Sequence, residues 1–163
     1  MSRAIRSVVS CVTAGLIVAA VVSSGFAQGA DPFAGGWKLN LSKSKFTPGP
    51  APKSGTVMFS MAGKNVKVVV DGVAGDGTKT HWEYTAMADG KDYAVTGNNP
   101  DADMISLKQA SPRSVQTTNK KGGKVTLTNV RTVSADGKTL TVTTKGTNAM
   151  GKAVNNVQVF DKM

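Results

Sequence analysis

Phe33-Ala34-Gly35-Gly36-Trp37-Lys38-Leu39-Asn40-Leu41 sets large apolar residues at positions 37, 39 and 41 against Lys38 and Asn40. An extended chain points successive side chains to opposite faces, so this stretch predicts a strand with Trp37, Leu39 and Leu41 inside and the polar pair in water. The glycines ahead of Trp37 allow close approach of a neighbour while the indole fills space. Such a strand needs partners on both sides.

The partners follow in regular order. Segments 56–61, 65–71, 79–87, 91–96, 104–109, 114–120, 124–134, 138–145 and 154–162 are rich in β-branched and aromatic residues. Between them stand turn residues: Gly63-Lys64, the run from Gly72 to Thr78, Asp89-Gly90 and Asp136-Gly137. Asp136-Gly137 before Lys138 reads as a type I′ hairpin turn, which needs positive φ at both central positions. With the opening stretch this predicts about ten strands in a single antiparallel up-and-down β-barrel, all-β, with little or no helix; closure removes the sheet edges. Pro48-Gly49-Pro50-Ala51-Pro52 forbids a helix between the first two strands, and residues 42–46 have room for one turn.

Ahead of the barrel, Arg3 and Arg6 precede an apolar run from Val8 to Val22, and Gly25-Phe26-Ala27 is a small-residue cleavage site. Residues 1–27 are therefore expected to be a secretory signal peptide, leaving 28–163 as one exported domain, periplasmic or extracellular. The run is shorter than the ~20 residues of a membrane-spanning helix, so no transmembrane anchor is expected. Cys11 follows too little apolar sequence for lipoprotein processing. It is also the one cysteine of the chain, so the mature domain has no disulfide, thiolate or cysteine nucleophile and rests on a packed core.

The full chain carries 20 basic and 10 acidic residues, and loss of Arg3 and Arg6 leaves a net charge of +8. Most lysines fall at turns and strand edges, where charge blocks edge pairing and keeps a barrel soluble. Lys120-Lys121-Gly122-Gly123-Lys124 is the dense cluster; it reads as a hairpin tip, with an anionic envelope surface as its alternative use. No specific nucleic-acid site is expected, and a monomer is.

Gly35-Gly36-Trp37 resembles the opening of the calycin superfamily, the lipocalin-like and fatty-acid-binding-protein-like barrels, whose first strand begins Gly-x-Trp. Residues 130–142 followed by 157–162 are similar to the closing strands of a fatty-acid-binding-type barrel, and secreted bacterial lipocalin-like proteins share the general pattern. The resemblance implies a ligand inside the barrel. It also implies an Arg-x-Tyr pair on the last strand as carboxylate anchor, where this chain has Gln158 and Phe160, and an arginine on the third-last strand, where Arg131 stands at nearly the family spacing.

Arg131 shares a strand face with Val125, Leu127, Asn129 and Val133. A cation on an apolar face needs a counter-charge or hydrogen-bond acceptors, so Arg131 either reaches solvent, pairs with an acid such as Glu83, or takes a ligand anion. Trp82 and Tyr84 share a face and offer flat walls to an apolar ligand, or simply fill the core. The parity of the last strand leaves open whether Gln158 and Phe160 or Val157 and Val159 face inward.

Nothing marks a reaction. His81 and Glu83 share the other face of their strand, as a general base and its carboxylate would, but no serine elbow or thiol stands ready to be activated. Asn98-Asn99-Pro100-Asp101-Ala102-Asp103 offers oxygen ligands in a loop but lacks the spacing of an EF-hand. No enzyme activity, metal or cofactor is expected. The expected function is carriage or sequestration of a small apolar or amphipathic ligand, bound by Trp82, Tyr84, Asn129, Arg131 and Gln158. Its alternative is a solidly packed envelope module working through a basic outer surface.

Overall fold

The computed structural model describes residues 31–163, and the expected signal peptide lies outside them. Eleven strands run β1 Gly35–Leu39, β2 Ser54–Ala62, β3 Asn65–Val73, β4 Lys79–Ala86, β5 Asp89–Ala94, β6 Thr96–Gly97, β7 Met104–Ser111, β8 Ser114–Lys121, β9 Lys124–Val133, β10 Thr139–Thr147 and β11 Ala153–Lys162. All pair antiparallel in one sheet of order β5-β7-β8-β9-β10-β11-β1-β2-β3-β4-β6. The opening strand lies between β11 and β2, with Trp37 opposite Lys162 on one side and Val57 on the other. The chain thus closes back onto Trp37.

Closure at the other seam explains the extra strand. The expected 91–96 segment is two pieces: β5 pairs with β7, then the chain passes Val95 and β6 pairs with β4 through Trp82↔Gly97 and Glu83↔Thr96. Gly97 makes this possible. Its φ is +96°, and a Cβ there would stand 2.2 Å from the His81 carbonyl oxygen. Asp89-Gly90 is not the turn it promised to be, because Met87-Ala88 reverses the chain and the Asp-Gly pair opens β5.

Two other expectations are corrected by local chemistry. Among the described residues no non-glycine has positive φ, so Asp136-Gly137 is no type I′ turn. Instead Gly137 N–H donates to Ser134 O at 3.0 Å, and Asp136 Oδ1 accepts from Ser134 Oγ and Lys138 N, a longer loop ending in a left-handed glycine. Leu41 is exposed, because β1 stops at Leu39 and the Asn40 side chain accepts from Lys43 N to start a single 3-10 turn over Leu41–Lys43.

Side-chain parity then divides wall from interior. Trp37, Val68, Ile105 and Leu140 are wholly enclosed, and Trp37 Nε1 donates to Phe33 O at 2.8 Å, so the indole's polar atom is satisfied inside the core. On β11 it is Phe160 that is buried and Gln158 that shares its face, which answers the parity question. On β9, Leu127, Asn129, Arg131 and Val133 face inward as expected, but Val125 is 60% exposed. The β8–β9 register shifts between Thr118 and Lys120, and this extra residue turns Val125 outward while Thr126 and Leu127 are both buried.

Hairpins β2–β3, β4–β5, β7–β8 and β9–β10 gather at one end of the barrel, where the segment around Phe33 lies. The turns β3–β4, β6–β7, β8–β9 and β10–β11 rim the other end. Across that rim runs the proline-rich strap. Lys45 and Val157 exchange backbone hydrogen bonds at 2.7 and 2.9 Å, Asn155 N–H donates to Thr47 O, and Lys53 N–H donates to Val73 O. Pro50 rests on Gly75 of the β3–β4 turn, where a Cβ would come within 2.7 Å of the proline ring.

Candidate functional site

Beneath the strap the barrel is hollow. A cavity of about 490 Å³ extends inward from Pro48, Pro50 and Pro52 at the rim. Its walls include Trp82 on β4, Asn129 and Arg131 on β9, Thr144 on β10, and Gln158 and Phe160 on β11. The strands bring these together because each residue occupies the inward parity of its own strand.

Arg131 forms the base of the cavity and is 8% exposed. Its guanidinium donates to the Tyr84 hydroxyl at 2.5 Å and lies 5.8 Å from the ring centroids of both Phe59 and Tyr84. Tyr84 stacks on Trp82 with centroids 6.2 Å apart. No carboxylate lies within ion-pair distance of Arg131 among the described residues. Glu83 is not its partner: it faces outward and pairs with Lys67 at 3.0 Å. Arg131 therefore holds a buried positive charge compensated only by a phenol and two aromatic faces.

Above it sits a neutral polar cluster. Asn129 Nδ2 donates to Thr117 Oγ1 at 3.1 Å and to Asn119 Oδ1 at 3.4 Å, while its Oδ1 accepts from Thr144 Oγ1 at 2.7 Å. Both Asn129 N–H bonds and one lone pair of its oxygen are thus taken by protein partners, which ties β8, β9 and β10 together and leaves one acceptor site on the oxygen. Gln158 has no side-chain hydrogen bond to protein among the described residues and remains available to a ligand.

Of the five residues named from sequence, Trp82, Asn129, Arg131 and Gln158 line this cavity; Tyr84 faces inward too but is buried in the core beneath it, where its hydroxyl accepts from Arg131. Phe59, Asn119, Thr144 and the strap prolines also belong to the site. Phe59 and Thr144 carried a signal in their strand parity, but the strap's place over the mouth carried none.

A second cavity of about 470 Å³ opens at the opposite end beside Phe33, Met61 and Leu107. The two share Phe59 and Arg131, so these side chains form a waist in the barrel.

The other candidates lie elsewhere. His81 is on the outer wall, its Nδ1 2.7 Å from Asp71 Oδ1 and apart from Glu83. In the 98–103 loop, Asp101 Oδ1 accepts from Ala149 N and Asp103 Oδ2 from Gly122 N, both at 2.9 Å, so the carboxylates hold hairpin tips. No group of three or more His, Cys, Asp or Glu able to hold a metal ion forms among the described residues.

No family model matches the sequence, and no curated protein does. Among solved structures, the zebrafish ileal bile acid-binding protein complexed with cholic acid is similar at a TM-score of 0.47 and 10% identity, covering 81% of this chain and 99% of that one. A likeness at that level decides nothing about ligand or activity. Strand order and register themselves establish an all-β, nearly closed antiparallel meander barrel.

Proposed function

We propose that this is an exported binding protein that carries or sequesters a small, largely apolar molecule inside its barrel, with a polar or anionic end set against Arg131. The observation that supports this most is the buried, acid-free Arg131 at the base of a cavity large enough for a small ligand. A solid barrel would enclose no such volume, and an arginine with no counter-charge is costly to keep in a protein interior unless something else meets it. Trp82 and Phe160 cover the ligand's apolar body, and Gln158 supplies one further polar contact. Binding consists of desolvating that body and pairing its few polar atoms, with no bond made or broken.

Native mass spectrometry of protein gently purified from its own envelope tests this. A discrete added mass is expected, removable by organic extraction and rebound less well by Arg131→Ala. A bare polypeptide mass that rebinds nothing from a panel of fatty acids, sterols and aromatic acids would overturn it.

A further inference from the structure

We infer that the rim formed by the β8–β9 and β10–β11 tips is a docking surface for an anionic lipid bilayer, placed so that the cavity mouth faces the lipid. Three observations meet there. Met150 is 74% exposed at the β10–β11 turn and also lines the mouth of the cavity beneath the proline strap. Val125 is 60% exposed, turned out of the barrel by the register shift in β9. These two apolar side chains stand on neighbouring tips, because β9 and β10 are paired as far as Gly146↔Leu127.

Around them are Lys124, Lys145 and Lys152, all exposed and none in an ion pair among the described residues. The nearby acids do not cancel this charge at the outer surface. Asp92 is engaged by Lys120 at 2.7 Å. Asp101 and Asp103 are half-buried behind the tips and accept the backbone N–H groups of Ala149 and Gly122. Thr126 Oγ1 also donates to the Asp101 carbonyl, tying the base of the β8–β9 tip to the same loop. The acids thus brace the tips from inside while the lysines face outward.

A braced pair of tips with protruding apolar side chains and unpaired lysines matches the lipid interface, where apolar groups enter the acyl boundary and lysines meet anionic headgroups. Lys152 and Met150 both line the mouth, so a docked barrel presents its opening to the bilayer. Loading the cavity from that bilayer rests on the carrier function proposed above, whereas docking is measured with no cavity ligand present.

The test is co-sedimentation of the purified protein with phosphatidylcholine vesicles, with and without phosphatidylglycerol. Binding is expected only to the anionic vesicles and is expected to weaken with added salt. Each of Lys124→Gln, Lys145→Gln and Lys152→Gln should weaken it about fivefold, and Met150→Asp about tenfold. Met61→Asp, a control at the opposite barrel end, should leave it unchanged. Equal binding to neutral vesicles, no loss in the triple lysine variant, or a loss in Met61→Asp as large as in Met150→Asp would overturn the assignment. Retention of bound mass by Arg131 variants is read separately, so failure of the carrier function would not be mistaken for failure of docking.

Discussion

The Arg131 guanidinium donates to the Tyr84 hydroxyl at 2.5 Å, linking β9 to β4 across the inside of the barrel. Forty-seven residues separate the two in sequence, and neither strand neighbours the other in the sheet. This contact fixes the floor of the cavity beneath the proline strap and leaves the other guanidinium N–H groups without a protein acceptor among the described residues.

Stability and binding should therefore separate at this pair. Tyr84→Phe removes the acceptor of a charged donor and is expected to cost about 1–3 kcal/mol in urea unfolding. Arg131→Met keeps the volume and removes the buried charge, so its unfolding midpoint should hold or rise, while the bound mass seen by native mass spectrometry is lost. A large loss of stability in Arg131→Met would mean that the arginine serves the fold rather than a ligand.

The two tryptophans report on different places. Trp37 is wholly enclosed and does not line the cavity beneath the proline strap, whereas Trp82 lies on its wall. Any fluorescence change on adding a bound ligand should persist in Trp37→Phe and vanish in Trp82→Phe. The reverse pattern would place the ligand elsewhere. Trp37→Phe should itself be destabilising, since it leaves the Phe33 carbonyl without its indole donor and opens space in the core.

The β4–β6 pairing that nearly closes the barrel depends on Gly97. A side chain there would press on the backbone carbonyl of His81 at a φ that other residues enter at a cost of about 1–2 kcal/mol. Gly97→Val is expected to detach β6 from β4, seen as faster amide hydrogen exchange at Asn98, whose N–H donates to His81 O, and as a lower unfolding midpoint. Gly63→Val, at a turn with nothing within 4 Å, should leave exchange at Asn98 unchanged.

Asp161 makes part of the fold's stability depend on pH. Hydrogen bonds from Asn40 Nδ2 at 2.6 Å and from Lys43 hold its carboxyl below the usual carboxylate range, as do partners around Asp76, Asp89 and Asp136. A lowered folded-state pKa gives stability that is fully present above the ordinary carboxylate range and is lost as pH falls through the lowered value. The melting temperature should therefore drop on acidification through and below that range. Asp161→Asn should flatten part of this drop, while a curve identical to that of the wild type would deny the carboxylate its role.

The strands were legible because their signal is local. A period of two, β-branched content and glycine-rich breaks depend on neighbours one or two positions away, and they marked all the long strands from Trp37 to Phe160. Inward parity on β9 was legible for the same reason until the register shift, which depends on how β8 lies against it and so reversed Val125. Asp136 misled because its carboxylate had two local donors, Ser134 and Lys138, and took the longer loop instead of the tight turn.

Sequence by itself determined an all-β chain of antiparallel hairpins, that Trp82 and Tyr84 share one face of β4, that Leu127, Asn129, Arg131 and Val133 share one face of β9, and Arg131 as a charge in need of a partner. Only the tertiary structure decided which partner it has, that Gln158 rather than Val157 or Val159 faces inward, that β6 crosses to close the seam, and that the proline strap spans a hollow mouth. Each of these is set by register between strands distant in sequence, and a pattern of side chains along one strand carries no information about the strand it will lie against.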